Sequence, residues 1–162
     1  MTHSARRDSS LDGVRVLLID DHPVVRQVIT RLLEEWGAKV TAVPGASEAL
    51  EALGREQPSV VLSDIQMPGE DGYALIRKIR ALPPDRGGQI PAAALTGLTG
   101  VEDRARVLRA GFQDHVAKPV DARRLVEVVT MLANQRTWAP DRRTSGPRNG
   151  PQSMTSHGSG NG

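Results

Sequence analysis

The stretch VLSDIQMPGEDGY, residues 61–73, begins as an apolar run and changes at Asp64 into a polar segment with a Pro-Gly turn. A short continuous apolar run that is bounded by turn residues predicts a buried strand. A second run, VRVLLIDDHP at residues 14–23, also ends on acids, here Asp20 and Asp21. Two predicted strands of one small chain therefore deliver three carboxylates.

Short apolar runs alternate with stretches of helical period along most of the chain, which predicts five strand-helix units. Pro23 suits the first turn of the first helix and Gly37 ends it, while Asp71 and Asp121 are predicted N-caps of the third and fifth helices. Thr99 and Glu102 have capping-box spacing for the fourth helix. The five predicted strands are VRVLLI (14–19), KVTAV (39–43), SVVLS (59–63), PAAAL (91–95) and HVA (115–117).

The predicted fold class is α/β, a doubly wound five-stranded parallel sheet with helices on both faces. Strands that are apolar on consecutive residues are buried on both faces, and helices between them make the sheet parallel. Ligands of such sheets bind beyond the carboxyl ends of the strands. Five polar residues end or follow four of the predicted strands and should meet at this edge: Asp20, Asp21, Asp64, Thr96 and Lys118.

The length of 162 residues suits one domain, which we place at residues 13–135, between a disordered arm (1–12) and a disordered tail (136–162). The tail is rich in Gly, Pro, Ser and Arg and has no apolar period. Its four arginines and one tryptophan are too sparse to predict direct binding of nucleic acid.

Cysteine is absent, which excludes disulfides and thiolate metal sites and suits a reducing compartment. Neither an apolar signal segment nor a run of ~20 apolar residues is present, so we expect no membrane span and a cytoplasmic location.

Three carboxylates at one edge need a positive charge, because two charges ~4 Å apart repel by ~4 kcal/mol at an effective dielectric near 20. Lys118 is one candidate, and a hard, oxygen-preferring divalent ion such as Mg²⁺ is the other. A carboxylate, a hard metal ion, a lysine and a hydroxyl are the groups that phosphoryl transfer uses. His22 is expected to be an exposed loop residue, and His3 and His157 fall in predicted disorder, so no histidine metal site is predicted.

Two other phosphate-handling classes are excluded. The chain has no G-x-x-x-x-G-K-[ST] motif, which excludes a P-loop nucleotidase. Phosphohydrolases of the haloacid type place a second Asp two residues after the nucleophile on strand one, and here the residue two after Asp20 is His22.

Taken in order and spacing, IDDHP, SDIQMPGEDGY, ALTG and AKP resemble the response-regulator receiver domain of two-component signalling over about residues 14–135. The resemblance implies a flavodoxin-like fold with strand order 2-1-3-4-5. It also implies that Asp64 accepts a phosphoryl group from a phosphohistidine. In this interpretation Asp20, Asp21, Asp64 and the backbone carbonyl of Gln66 hold Mg²⁺.

The resemblance assigns two further contacts and a switch. Thr96 and Lys118 would contact the phosphoryl oxygens, and the bond before Pro119 would be cis. Thr96 and an aromatic residue on strand five form the family's switch, and that position is His115 here. Leu98 stands where some members help to position water, which suggests a long phosphoryl lifetime.

The partners implied are a histidine kinase or histidine phosphotransfer protein, and a downstream protein that reads the face of helix four, strand five and helix five. The candidate contacts on that face are Arg104, Arg109, His115 and Arg124. The LPPDRGGQIPAAALTG stretch (82–97) is similar to receivers fused to hybrid sensor kinases. We therefore expect the chain to be either a stand-alone receiver or part of a larger protein. We expect it to be a monomer or a weak dimer. The alternative function is a receiver-like docking module that works without phosphorylation.

Overall fold

The computed structural model describes residues 10–97 and 100–135 and contains a five-stranded, all-parallel sheet in the order β2-β1-β3-β4-β5. The predicted fold class and strand order are confirmed. The strands are β1 (Arg15–Ile19), β2 (Lys39–Val43), β3 (Val60–Asp64), β4 (Ala92–Thr96) and β5 (Asp114–Ala117). The helices are α1 (Pro23–Glu35), α2 (Ala46–Glu56), α3 (Gly72–Arg80), α4 (Val101–Ala110) and α5 (Ala122–Ala133), with a short 3-10 turn at Pro84–Arg86.

Side chains of the central strands alternate between two cores, one on each face of the sheet. Leu17 and Ile19 of β1 pack with helices α2, α3 and α4, whereas Val16 and Leu18 pack with α1 and α5. This alternation follows from the period of two in a strand and explains why the strand sequences are apolar without interruption. The sheet is thereby covered on both faces, and its edge at the strand ends is left for polar residues.

The predicted caps of α3 and α5 are present. The Asp71 carboxylate accepts a hydrogen bond from Ala74 N–H (2.9 Å), and the Asp121 carboxylate accepts one from Arg124 N–H (2.9 Å). Pro23 is the first residue of α1, as predicted, and Gly37 follows the end of this helix with φ of 101°. Local sequence signals therefore set these helix ends.

Helix α4 begins differently from the prediction. Its N-cap is Gly100, and the Asp103 carboxylate accepts a hydrogen bond from Gly100 N–H (3.1 Å), so Asp103 takes the role predicted for Glu102. Thr99 lies outside the described residues. A glycine N-cap is nearly as favourable as a threonine, which is why the spacing alone gave a start one residue early.

The predicted N-terminal arm of residues 1–12 is wrong at its inner end. Leu11 is 0% exposed, packs in the core beside α1 and donates its N–H to the Trp36 carbonyl (3.0 Å). A single apolar residue after a polar stretch carries no periodic signal, so the sequence could not place it. The predicted tail (136–162) lies outside the described residues.

Candidate functional site

The carboxyl ends of β1, β3, β4 and β5 bring the predicted polar residues to one edge of the sheet. Asp64 and Thr96 are the last residues of β3 and β4, Asp20 follows β1 and Lys118 follows β5. The register aligns Ile19 with Ser63, Asp64 with Leu95 and Thr96 with Ala117, so these strand ends lie side by side. The parallel topology thus assembles a site from residues up to 98 positions apart in sequence.

Three carboxylates and one imidazole lie close together at this edge. One ligand atom each of Asp20, Asp21, His22 and Asp64 lies within 4.8 Å of the others. Asp20 is 0% and Asp64 3% exposed, whereas Asp21 is partly exposed and His22 is exposed, as predicted for the histidine. The His22 backbone N–H donates to Asp20 Oδ1 (2.9 Å), which fixes the turn between β1 and α1. The cluster is therefore open to solvent on the side of Asp21 and His22.

Lys118 supplies the positive charge. Its Nζ lies 3.3 Å from Asp20 Oδ2 and 3.3 Å from Asp64 Oδ1, so one ammonium bridges the two buried carboxylates. The Lys118 backbone N–H donates to the Thr96 carbonyl (2.9 Å), and the Lys118–Pro119 peptide bond is cis. The lysine is thus tied to the end of β4 as well as to the acids.

Burial raises the pKa of Asp64 above its ordinary value of 3.8. The Lys118 ammonium opposes this shift, the Asp20 charge adds to it, and hydrogen bonds from Lys118 and the Gln66 backbone N–H lower the pKa again. Desolvation wins because the carboxylate has lost most of its water. Asp64 is consequently a poorly solvated carboxylate beside a cation.

The carboxylate set fits a hard divalent cation. Asp21 Oδ1 is buried and accepts no hydrogen bond among the described residues, although carboxylate oxygens in such positions are nearly always bonded. Asp20 and Asp64 add two more anionic oxygens at the same edge. Lys118 pairs with only two of the three carboxylates, so the cluster retains excess negative charge, and a cation with oxygen ligands would offset it.

One contact at the site was missed by the sequence reasoning. Arg26, on the first turns of α1, donates through Nη1 to the Asp20 carbonyl (2.7 Å) and holds the end of β1 against the helix. The sequence gives no signal for this contact, because Asp20 lies before the helix and residues six apart do not lie on one helix face. Only the turn at His22 and Pro23 brings the two together.

The sequence model of the response regulator receiver domain family matches residues 16–130 of this chain. The chain belongs to this family. A 14.6 kDa protein of Leptolyngbya boryana is 45% identical over 120 residues, which cover 74% of this chain and 90% of that protein. The sensor protein GacS of Pseudomonas syringae is 39% identical over 132 residues, which cover 79% of this chain but only 14% of GacS.

Solved receiver structures agree with the fold. The receiver domain of the sensor histidine kinase PA1611 from Pseudomonas aeruginosa, with a magnesium ion coordinated in its active site cleft, is 33% identical and has a TM-score of 0.68 over 75% of this chain and 98% of that one. The Francisella response regulator 1452 receiver domain is 26% identical with a TM-score of 0.70 over 77% and 100% of the two chains. The chain is therefore a receiver domain of two-component systems.

The receiver's fifth strand places His115 beside two cations. His115 pairs with Ala94 of β4 and is partly exposed. Arg124 donates through Nη2 to its carbonyl (3.1 Å) and to Asp114 Oδ1 (3.2 Å). Burial lowers the pKa of His115, and the charges of Arg104 and Arg124 lower it further against the opposing effect of Asp114. The imidazole is therefore held in its neutral form at neutral pH.

Two of the four residues predicted for the partner face, Arg104 and Arg124, lie close enough to His115 for their charges to act on it. Arg104 of α4 and Arg124 of α5 are exposed on either side of His115. Arg109 is exposed near the end of α4. Leu98, predicted to affect the phosphoryl lifetime, lies outside the described residues. No helix in the described part of the receiver is long and apolar enough to cross a membrane.

Proposed function

We propose that this receiver accepts a phosphoryl group on Asp64 from a phosphohistidine of a histidine kinase or histidine phosphotransfer protein. The observation that carries the proposal is the position of Asp64, a buried carboxylate at the sheet edge whose Oδ1 lies 3.3 Å from the Lys118 ammonium. A structural ion pair at the surface would not need burial, a second buried acid and a shared lysine. Reactive groups are commonly found in such an arrangement.

In the proposed reaction an Asp64 carboxylate oxygen attacks the phosphorus of the donor, the phosphorus–nitrogen bond breaks, and the imidazole leaves with a proton from solvent. The product is an acyl phosphate on Asp64. Lys118, which already contacts Asp64, would pair with one phosphoryl oxygen, and the Thr96 hydroxyl would donate to another. Both groups would orient the phosphoryl group and neutralise charge on its oxygens, which is the main way proteins assist phosphoryl transfer.

Asp20, Asp21, Asp64 and the Gln66 carbonyl would hold Mg²⁺ in this receiver. The bound ion would neutralise charge on the phosphoryl oxygens. The unbonded Asp21 Oδ1 and the three converging carboxylates support this assignment.

The conformational change caused by phosphorylation would pass through Thr96 and His115 to the face formed by α4, β5 and α5. A hydroxyl drawn toward the phosphoryl group leaves space at the end of β4, and a neutral imidazole is able to fill an apolar space of ring size. Arg104, Arg109, His115 and Arg124 are the proposed contacts of the downstream partner. We place the receiver in the cytoplasm, where its donors act, as a monomer or weak dimer.

The test is intact mass after incubation with a small-molecule phosphodonor, with and without Mg²⁺. A gain of one phosphoryl group that requires Mg²⁺ is expected for the native protein and no gain for Asp64→Asn. Asp85→Asn is the matched control, because Asp85 is an exposed acid in the 3-10 turn. An equal gain in Asp64→Asn would refute Asp64 as the acceptor.

The second candidate function is a receiver-like docking module that binds its partner without phosphorylation. The chain keeps Asp20, Asp21, Asp64, Thr96 and Lys118, which such a module does not need. Folded protein that gains no phosphoryl group from either a small donor or a phosphorylated histidine kinase would favour the docking module.

A further inference from the structure

Ser63 is a buried hydroxyl that the proposed reaction does not use. It immediately precedes Asp64 in β3 and is 1% exposed. Its side chain borders a void of about 120 Å³ whose other lining residues are all apolar, namely Val61, Leu75, Ile76, Ile79 and Phe112. A hydroxyl in such surroundings is costly unless it forms a hydrogen bond. The partner of this hydroxyl therefore indicates what the serine does.

That partner is the backbone of the proposed acceptor. Ser63 Oγ donates to the Asp64 carbonyl oxygen (2.9 Å). At the other end of the same peptide group, the Ile65 N–H donates to the Leu95 carbonyl of β4 (3.2 Å). The peptide bond that follows Asp64 is thus held at both of its polar groups, by β4 on one side and by Ser63 on the other. A peptide held in this way fixes the backbone on the carboxyl side of Asp64.

The support from Ser63 comes where the pairing with β1 has stopped. The register pairs β1 with β3 as far as Ile19 opposite Ser63, one residue short of Asp64. On the side of α3 the Asp64 carbonyl is confined sterically, since a Cβ on Gly72 would lie 2.3 Å from its oxygen. A buried carbonyl needs a hydrogen-bond donor. Ser63 therefore supplies a bond at the strand end, next to the residue that carries the chemistry.

We propose that Ser63 is a positioning residue for phosphorylation: its hydroxyl holds the peptide after Asp64, and thereby the direction of the carboxylate toward Lys118. The inference rests on the proposed function, because it concerns the rate at which Asp64 accepts a phosphoryl group. Asp64 Oδ1 lies 3.3 Å from Lys118 Nζ, and attack on phosphorus depends on this placement. A displacement of about 1 Å can lower a rate ~100-fold, so a tilt of one peptide should slow phosphorylation by roughly tenfold.

The test compares Ser63→Thr with Ser63→Val. These side chains have nearly the same shape and both suit a strand, so the pair differs only in the hydroxyl. The void beside Ser63 can take the added methyl group. Phosphoryl gain is followed by intact mass at several concentrations of a small phosphodonor with Mg²⁺. The maximal rate should stay close to native in Ser63→Thr and fall by roughly tenfold in Ser63→Val, with the half-saturating concentration unchanged in both. Ser63→Ala, which adds no atoms, should be as slow as Ser63→Val.

A second measurement observes the hydrogen bond without a phosphodonor. The ¹³C resonance of the Asp64 backbone carbonyl should be similar in the native protein and Ser63→Thr, and should shift in Ser63→Val and Ser63→Ala. Equal maximal rates in folded Ser63→Thr, Ser63→Val and Ser63→Ala would overturn the proposal, even if the last two unfold more easily. An unshifted carbonyl resonance would overturn it as well. Failure of the proposed function would look different: the native protein itself would gain no phosphoryl group, which would remove this inference too.

Discussion

At the scale of single residues, Asp64 holds its charge in a position that disfavours charge. Its pKa is raised by burial, so the folded protein binds this proton more tightly than the unfolded chain does. The contribution of Asp64 to stability is therefore complete below the ordinary pKa of 3.8 and is lost as the pH rises through the raised value. The charged form of Asp64, the proposed acceptor, is therefore maintained at neutral pH at the expense of stability.

We expect Asp64→Asn to raise the unfolding temperature at pH 7 in metal-free buffer, because the amide keeps the shape of the side chain and removes the buried charge. The gain should shrink as the pH falls toward 3.8. The measurement is thermal unfolding from pH 4 to 8 in the presence of a chelator. Asp85→Asn is the control, and identical pH profiles for the two variants would contradict the argument.

Removal of Lys118, unlike removal of an ordinary surface lysine, would leave two buried carboxylates without their shared cation. Lys118→Met strips the shared cation from Asp20 and Asp64, which are 0% and 3% exposed. Breaking a buried pair by removing one partner costs about 3–5 kcal/mol, and we expect at least ~2 kcal/mol here because Lys118 is itself partly exposed. Urea unfolding in metal-free buffer measures the loss.

Lys78→Met is the matched control for Lys118→Met. Lys78 Nζ lies only 2.8 Å from Glu70 Oε2, a shorter distance than either contact of Lys118, but its side chain is 56% exposed. Exposed pairs contribute about 0–1 kcal/mol, so Lys78→Met should be nearly neutral. Equal losses of unfolding free energy in the two variants would mean that burial of the acids does not determine how much Lys118 stabilises the fold.

At the scale of elements, the start of α3 is pressed against the end of β3 at Gly72. A Cβ on Gly72 would lie 2.3 Å from the Asp64 carbonyl oxygen and 2.8 Å from Ile65 Cα, both of them backbone atoms. Gly72→Ala must therefore move α3 away from the strand that presents Asp64. We expect a loss of about 1–3 kcal/mol in unfolding free energy and slower phosphorylation of Asp64.

Gly54→Ala tests the same substitution where space is available. Gly54 lies on the exposed side of α2, and its added Cβ would meet no atom within 4 Å. Alanine is favoured over glycine in a helix, so this variant should gain about 0.5–1 kcal/mol and phosphorylate normally. A neutral Gly72→Ala would show that α3 moves without consequence for the site.

The sequence predicted the elements better than it predicted their contacts. Consecutive apolar residues and caps such as Asp71 are local signals, and they located every strand, both ends of α1 and the starts of α3 and α5. In α1, by contrast, Val24 and Val28 belong to the apolar period but are 69% and 56% exposed. A helix on a sheet buries one stripe, and the period does not tell which apolar residues fall beside it.

Arg80 shows a contact that the sequence could not reveal. Its guanidinium donates to the carbonyls of Gly111 (2.9 Å) and Gly88 (3.0 Å) and to Gln113 Oε1 (3.2 Å), so one side chain joins the end of α3 to two distant loops. Burial lowers its pKa. Such partners depend on tertiary approach and do not follow from spacing along the chain.

At the scale of the whole molecule, the proposed metal site would exist only when the sheet is formed, because Asp20 and Asp21 follow β1 while Asp64 ends β3. An unfolded chain does not hold these carboxylates together. A ligand that binds only the folded state stabilises it by about 2.7 kcal/mol at a concentration of 100 times its Kd. Mg²⁺ should therefore raise the free energy of unfolding of the entire domain, not only order one loop.

We expect the unfolding free energy of the native protein to rise with the logarithm of Mg²⁺ concentration at constant ionic strength, and that of Asp21→Asn to rise much less. Asp21 is the variant of choice because it is partly exposed and its Oδ1 has no donor among the described residues, so its loss should leave the metal-free fold intact. Urea unfolding at several Mg²⁺ concentrations measures both slopes, with Asp85→Asn as control. Screening is fixed at constant ionic strength, so equal slopes in all three proteins would mean that Mg²⁺ binds elsewhere and that the three carboxylates do not act as one site.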